Sequence, residues 1–329
     1  MSNSNIPKKH HYVPQCYLKN FMENHCFYTL DIRKVQGGYN EFPRRNQPKK
    51  ICYIEDFYTI DPEYHGTIFG LEAYDRLSIE TTILNRLENR YSKIFNQLKS
   101  KLGTLRQPDV IHLCDFIIQL KLRNPYWLKE TIDKNKEVWI EEAVDKLRSK
   151  YIYDPRFEHI PLQLKNLLID AIQTDNKKML NFSKQMQLHS LIVRYSDQTA
   201  RNEKFRNVIA NCEWIIFEAP EDGPYFITSD NPGVSQMKDG LYYNTNFSEG
   251  FMFFFPLSKN LCLVISDSKM DNCLKNQNPV KEIVSGTVDA ETVIRINDST
   301  IQCISKLLVA SDTWYLSQIA QRNKPKKKE

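Results

Sequence analysis

Four short segments of the sequence carry side chains that could do chemistry. The first contains two adjacent histidines, His10 and His11, shortly before Pro14 and Gln15, where a helix is predicted to begin. An imidazole beside a helix start can bind a metal, move a proton or, when charged, bind phosphate. An exposed histidine pair without a function explains the segment about equally well.

The second feature is Glu80, which interrupts the apolar spacing of a long predicted helix. Steps of four and three place it in line with Ala73, Leu77, Leu84 and Leu87. This spacing predicts an amphipathic helix of roughly 30 residues from about residue 71. A carboxylate that points at a core must be paired, hydrogen-bonded, metal-bound or protonated. Glu80 is therefore either functional or part of a structural ion pair, and a place at the domain rim is the third alternative.

The third feature is a polar stripe on the next predicted helix, formed by His112, Asp115, Gln119 and Arg123. Steps of three, four and four residues put these side chains on one face. We expect this face to be solvated, and an internal cavity is the alternative because the rest of the helix is apolar. Arg123 directly precedes Asn124-Pro125, so its guanidinium would stand at the helix end, ready for a carboxylate or phosphate.

The fourth feature is the end of a predicted buried strand, Tyr225–Thr228. The strand runs directly into Ser229, Asp230 and Asn231, and Pro232 forces the chain out of the sheet. Such side chains can simply bond the local backbone in a turn. A carboxylate and a hydroxyl at a strand end are also frequent in active sites.

Composition excludes several classes of protein. The 329 residues are 41% hydrophobic and have a net charge of +5. The segment from Arg322 to Glu329 contains five basic residues and one acid, so the remainder is nearly neutral. No apolar run is long enough for a membrane span, and the polar start indicates no secretory signal. The eight cysteines are at least ten residues apart, which predicts reduced thiols, a cytoplasmic location and no disulfide-linked partner.

The order of predicted elements is typical of an α+β fold. We expect a single domain, 1–329, with a mixed or antiparallel sheet built from 10–60 and 211–319, a central helical block at 68–210, and flexible tails at 1–9 and 320–329. The predicted helices are Pro14–Phe21, Asp109–Asn124, Trp127–Lys150, Leu162–Ala210 and Ala290–Ala310. The predicted strands, besides Tyr225–Thr228, are a hairpin of Cys26–Arg33 with Tyr39–Phe42, an extended segment Ile51–Ile60, and Trp214–Phe217, Gly250–Phe255, Leu261–Ile265 and Thr313–Leu316.

Four segments together resemble the uncharacterised family known as domain of unknown function 4238. They are Lys9–Phe21 with its His-Tyr-Val-Pro-Gln stretch, Ile118–Pro125, Phe226–Pro232 and Phe255–Ser258. The resemblance covers nearly the whole chain and departs at Cys16, where the family usually has an aromatic residue. It implies a bacterial or phage-associated protein, with phage defence as a setting, but no settled activity. It also implies a shared role for ten residues: His11, Tyr12, Pro14, Gln15, Glu80, Arg123, Ser229, Asp230, Asn231 and Pro232.

Our working hypothesis is that the four features converge in one polar pocket between the helical block and the sheet. The expected reaction is metal-assisted hydrolysis of a phosphodiester in a nucleic acid or nucleotide, and metal-free acid–base catalysis is an alternative. The rival hypothesis is a non-catalytic binding or scaffold module in which the same polar residues form a structural clamp. The expected catalytic residues are His10, His11, Glu80, Arg123 and Asp230. The expected substrate-binding residues are Gln15, Gln119, Ser229 and Asn231, and the expected ligands of a divalent metal are His11, Glu80 and Asp230.

Overall fold

The computed structural model describes residues 8–61, 75–100, 103–125, 200–270 and 280–325, with short pieces at 149, 152–153, 155–158, 160–166 and 188. The predicted helix Trp127–Lys150 and most of Leu162–Ala210 lie outside these residues. The described part is an α+β protein with antiparallel and mixed sheets, as the sequence predicted. No described helix is both long and apolar enough to cross a membrane. The seven described cysteines are all free thiols.

The N-terminal segment is held by a short sheet and a short helix. Strand β1 (Lys9–His11) pairs antiparallel with β4 (Tyr53–Glu55). Helix α1 (Gln15–Leu18) begins after Pro14, where the missing N–H of proline costs nothing. A 3-10 turn, Lys19–Phe21, completes the predicted helix.

Two consecutive helices form the first described part of the helical block. The first is π-helical over Ile79–Leu84 and continues as α3 (Asn85–Lys99). The second, α4 (Gln107–Leu122), confirms the prediction for this segment within two residues at each end. The Tyr91 ring stacks on that of Phe116, with centroids 3.9 Å apart, which locks the two helices together.

A six-stranded sheet lies C-terminal to helix α5 (Ala200–Asn211). Its strands are, in spatial order, β13 (Val284–Thr287), β6 (Cys212–Glu218), β11 (Leu261–Met270), β10 (Met252–Pro256), β8 (Val234–Gln236) and β9 (Tyr242–Tyr243). Only the β13–β6 pair is parallel among the described strands. The neighbouring strands β10 and β11 are apolar over Phe253–Pro256 and Leu261–Ile265, where the side chains on both faces are buried.

A four-stranded antiparallel sheet joins the two ends of the chain. Its order is β3 (Arg44–Asn46), β2 (Phe27–Asp31), β14 (Leu307–Ala310) and β7 (Thr228–Ser229). A further pair, β5 (Thr104–Arg106) with β12 (Val280–Glu282), borders α4. One apolar core contains residues from the N-terminal segment, from α3 and α4, and from the six-stranded sheet.

The predicted hairpin differs from the observed connection. Strand β2 ends at Asp31, whose side chain accepts a hydrogen bond from the Lys34 backbone N–H at 3.2 Å and caps helix α2 (Ile32–Gln36). The two glycines that follow end this helix, and the returning strand is β3 rather than Tyr39–Phe42. An Asx cap therefore outweighed the alternating pattern.

The C-terminal prediction was wrong in a similar way. Helix α6 (Ala290–Gln302) is shorter than predicted, and its expected last turns form β14. Helix α7 (Trp314–Arg322) replaces the predicted strand, because Asp312 accepts from the Trp314 N–H at 2.9 Å and starts a helix with an apolar face. This helix covers the first residues of the expected flexible tail, and Lys9 of the other expected tail lies in β1. Of the predicted strand Tyr225–Thr228, only its last residue belongs to β7.

Candidate functional site

Five polar side chains from distant parts of the sequence meet at the end of α4. They are His11 of β1, Tyr58, Glu80 of the π-helical segment, Glu88 of α3, and Arg123, which follows the last residue of α4. We call this group the Arg123 centre. Three of its members were expected from the sequence to meet, and Glu88 and Tyr58 were not.

The guanidinium of Arg123 is the middle of the group. Its side chain is fully buried and its Nη1 donates to Glu88 Oε1 at 3.3 Å. Burial works against the charged form, but Tyr58, Glu88 and Glu80 outweigh it and raise the pKa of Arg123. The Nε and Nη2 groups have no hydrogen-bond partner within the described residues. A permanently charged group thus keeps two buried donors that make no regular hydrogen bond, although the Tyr58 hydroxyl lies within reach of the guanidinium.

The two carboxyl groups beside Arg123 differ in how strongly burial and charge act on them. Burial, helped by the neighbouring Glu88, raises the pKa of Glu80 to about 7, against the attraction of Arg123. The pKa of Glu88 is also raised by burial, and its ion pair with Arg123 opposes this. Glu80 is half-buried and the Glu88 side chain keeps 26% of its surface exposed, so the centre reaches solvent at its carboxyl side. Glu80 is therefore close to half-protonated at neutral pH.

The π-helical turn explains why Glu80 does not point straight into the core. A turn of this kind holds about one residue more than an α-helical turn and shifts the phase of the side chains. Ile79 is fully buried in its place, and Glu80 lies at the boundary. The sequence spacing located the anomaly correctly but assumed a regular helix.

His11 enters the centre as a neutral imidazole. Burial lowers its pKa to about 4, and the charges of Arg123 and Lys9 act in the same direction. Its Nδ1 lies 3.5 Å from the side-chain amide nitrogen of Gln15, one of the predicted substrate-binding residues. Its Nε2 is buried and makes no regular hydrogen bond in the part of the chain described, while the ring lies within reach of the Pro48 and Lys9 carbonyls. A neutral imidazole with a free ring nitrogen can accept or donate one further hydrogen bond.

His10, the other predicted histidine, has a structural environment. It is fully buried, its ring stacks on Tyr58 with centroids 5.6 Å apart, and its Nδ1 accepts from the Tyr58 backbone N–H at 2.8 Å. The Tyr58 hydroxyl in turn donates to the His11 carbonyl at 3.5 Å. His10 thereby fixes Tyr58 and the backbone that carries His11.

The polar stripe of α4 is not a solvated face, contrary to the expectation. His112, Gln119 and Arg123 are buried and Asp115 is half-buried. His112 Nε2 lies 2.9 Å from the Leu87 carbonyl, and Asp115 forms an ion pair with Arg206 at 2.6 Å. The stripe faces other parts of the protein because α3 and α5 pack against it.

Asp230 belongs to a hydrogen-bond network next to the Arg123 centre. Its Oδ1 accepts from the backbone N–H groups of Ser305 and Lys306, both at 3.2 Å. Its backbone carbonyl accepts from the Asn124 side chain at 2.8 Å. Adjacent side chains at the end of α4 therefore reach different partners, Arg123 towards Glu88 and Asn124 towards Asp230. Burial raises the pKa of Asp230 to about 6, against the backbone hydrogen bonds that favour the charge.

The residues on both sides of Asp230 also bond within the protein. Ser229 is fully buried and its Oγ accepts from the Asn231 N–H at 3.1 Å. The Asn231 side chain accepts from Lys121 Nζ at 3.2 Å and donates to the Asn244 side chain and to the Cys303 carbonyl. Burial lowers the pKa of Lys121 to about 7. These contacts fasten α4 to the turn that follows β7.

The predicted metal set is not assembled as a coordination site. No group of three or more His, Cys, Asp or Glu side chains among the described residues is arranged to hold a metal ion, and His11, Glu80 and Asp230 are not such a group. Asp230 points its Oδ1 at backbone amides, and the carboxyl groups of Glu80 and Glu88 lie beside the Arg123 guanidinium.

Sequence reasoning missed Glu88, Tyr58 and Lys121. A signal existed for Glu88, which follows Glu80 by eight residues and so returns to a similar direction on a helix. Lys121 sits in the apolar part of α4, where a buried lysine needs acceptors. No local pattern distinguishes Tyr58 from the other tyrosines, because its role comes from its tertiary neighbours.

Comparison with known proteins identifies the family. Neither the curated proteins nor the solved structures gave a match. One family model matches, and it covers residues 9–313, which include every residue of the Arg123 centre. The chain therefore belongs to the family described as "Protein of unknown function (DUF4238)".

Proposed function

We propose that this protein is a hydrolase of phosphodiesters and that the Arg123 centre is its active site. The observation that carries the proposal is the pair of unpartnered, buried N–H groups on Arg123, next to a carboxyl group whose pKa is about 7. A guanidinium with two free donors matches two oxygens of a phosphate in a forked geometry.

The neighbouring groups suit metal-free acid–base chemistry. Glu80, which is about half-protonated at neutral pH and increasingly protonated below it, would donate its proton to the leaving oxygen as the ester bond to phosphorus breaks. His11 would orient the attacking water and take its proton as the new bond to phosphorus forms. A bound phosphate anion would favour the imidazolium and so raise the pKa of His11 from its low value. Arg123 would offset the charge of the phosphate oxygens throughout the reaction.

The test is hydrolysis of bis(4-nitrophenyl) phosphate, DNA, RNA and nucleotides between pH 5 and pH 9, with and without a chelator. We expect the activity to fall as pH rises through about 7, since Glu80 then loses the proton it must donate. Glu80→Gln and Arg123→Lys should each lose at least about 100-fold, because a positioned acid and a positioned donor to the developing charge each contribute about that much. Glu249→Gln, which changes an exposed carboxylate, is the control and should keep full activity.

Two results would overturn the proposal. One is the absence of hydrolysis of all these substrates by the unaltered protein at every pH. The other is full activity of Glu80→Gln or Arg123→Lys. Loss of activity with the chelator would overturn the metal-free chemistry assigned to these residues.

A second candidate function, a non-catalytic scaffold, is favoured by the network around Asp230 and Asn231. These residues bond to backbone and side-chain groups of three other segments, as a structural clamp would. In a scaffold, Arg123 and Glu88 would be one more buried ion pair. Variants of the pair would then lower stability, and no tested phosphodiester would be hydrolysed.

A further inference from the structure

A second site lies on the solvent face of α3, away from the core. A cleft of about 680 Å³ runs along this helix between it and the start of α4. Its lining includes four cationic side chains, Arg86, Arg90, Lys93 and Arg106, and one carboxylate, Asp109. The chain outside its C-terminal segment is nearly neutral, so this concentration of charge is local.

The cations have a regular and partly fixed arrangement. Arg86, Arg90 and Lys93 are four and three residues apart, so they stand on one face at intervals of about 4.5 to 6 Å along the axis. Asp109 binds two of the four, with Arg90 Nη2 at 3.2 Å and Arg106 Nε at 3.5 Å from its oxygens. The Asp109 side chain is itself 9% exposed, so a buried carboxylate holds both guanidinium groups in place.

The rest of the lining identifies the chemistry of the occupant. The other five lining residues carry hydroxyl or amide side chains, and none is apolar or aromatic. A protein partner would be expected to meet an apolar anchor at the centre of its interface. A surface that holds the unstacked bases of a single strand would be expected to offer aromatic rings for stacking. Cations interleaved with amides and hydroxyls suit phosphate and sugar oxygens.

We propose that this cleft binds the phosphodiester backbone of a nucleic acid without reading its sequence. The strand would run along α3 with its phosphates beside the four cations, and the amide and hydroxyl groups would bond its oxygens. The cleft begins at Thr81 and Thr82, directly after Glu80, so a bound strand passes the turn that carries this carboxyl. Binding here requires no catalytic step and is therefore independent of the proposed hydrolase activity.

The test is fluorescence anisotropy of the full chain with labelled 20-nucleotide duplex DNA, single-stranded DNA and RNA of two unrelated sequences. Four cations and one carboxylate leave about three net phosphate contacts. A plot of the logarithm of the affinity against the logarithm of the salt concentration should therefore have a slope near −2.7 for a duplex and near −2.1 for a single strand. Both sequences should bind alike.

The variant is Arg86→Gln with Lys93→Gln, two exposed residues that take no part in the Asp109 ion pairs. Each lost contact should weaken duplex binding about eight-fold and single-strand binding about five-fold at 0.1 M salt. It should also make the slope of affinity against salt concentration less steep by about one unit or slightly less. The control is Lys238→Gln with Lys269→Gln, which removes the same charge from exposed positions elsewhere. It should leave affinity nearly unchanged.

Three outcomes would overturn the proposal. The two double variants could weaken binding equally, which would make net charge the cause. Neutralising Lys326, Lys327 and Lys328 could abolish binding while the α3 double variant does not, which would place the site in the C-terminal segment. Poly-glutamate could compete as well as nucleic acid at equal charge, which would make the cleft a site for acidic peptides.

Discussion

The unusual protonation of Glu80 should appear directly in the stability of the protein. Its pKa rises from 4.5 to about 7 on folding because the carboxyl is partly buried beside Glu88. Between these two pH values the folded state holds a proton that the unfolded state has released, so stability must fall as pH rises. At 1.36 kcal/mol per unit the whole shift would amount to about 3 kcal/mol. Since Glu80 is only half-buried, we expect about 1–2 kcal/mol after screening by water.

The perturbation is Glu80→Gln, which keeps the shape of the protonated carboxyl and cannot ionise. At pH 4.5 the variant and the unaltered protein should have nearly equal free energies of unfolding. At pH 8 the variant should be more stable by about 1–2 kcal/mol, because it avoids a partly buried negative charge, which lies moreover beside Glu88.

The assay is urea unfolding at pH 4.5, 5.5, 6.5 and 8, followed by tryptophan fluorescence. Trp214 is 1% exposed and reports on the main core. Other groups also titrate in this range, so the quantity to follow is the difference between the two proteins. Glu249→Gln, at an exposed position, should show a difference that does not change with pH. A constant difference for Glu80→Gln, or a variant that is less stable at pH 8, would refute the reasoning.

Three further predictions concern stability and use the same unfolding assay. Asp230→Ala leaves two partly buried backbone N–H groups without their acceptor and should cost about 1–2 kcal/mol, whereas Asp230→Asn keeps an acceptor and should cost clearly less. Equal losses would contradict this role. Arg123→Met leaves Glu88 without its cation and should lower the free energy of unfolding by about 3 kcal/mol. Adding Glu88→Gln should recover at least half of this loss, and strictly additive losses would show that the pair is not coupled. Gly233 and Gly240 both have a positive φ, +87° and +82° respectively. A β-carbon at Gly233 would lie 2.5 Å from the Phe253 ring, whereas a β-carbon at Gly240 would meet nothing within 4 Å. Gly240→Ala should therefore cost about 1 kcal/mol and Gly233→Ala at least 2 kcal/mol, and similar costs would be evidence against the close packing.

The fold was predictable where a local pattern was unambiguous. Helix α4 and the inner strands β10 and β11 have long apolar runs, and the structure places them within a few residues of their predicted positions. The failures occurred where a short polar signal decided the local structure. Asp31 and Asp312 each start a helix that the alternation or apolar content of the neighbouring residues did not indicate.

The polar stripe of α4 shows why burial could not be obtained in the same way. Its spacing correctly placed His112, Asp115, Gln119 and Arg123 on one face, because helical periodicity is a property of the chain itself. Whether that face meets water depends on what packs against it. Here α3 and α5 cover it and supply acceptors and an ion pair, which makes a polar face compatible with the interior.

The amino-acid sequence alone determined which chemical groups are available and which of them break a pattern: Glu80 in an apolar spacing, Arg123 at a helix end, and two histidines before a helix start. These are local properties, and they are set by residue type and short-range periodicity. Only the tertiary structure decided that Glu88 and Tyr58 lie beside Arg123, and that the Oδ1 of Asp230 accepts hydrogen bonds from backbone amides. The reason is that pKa values and hydrogen-bond partners depend on distances of a few ångströms between segments far apart in sequence, and those distances result from the packing of the whole core.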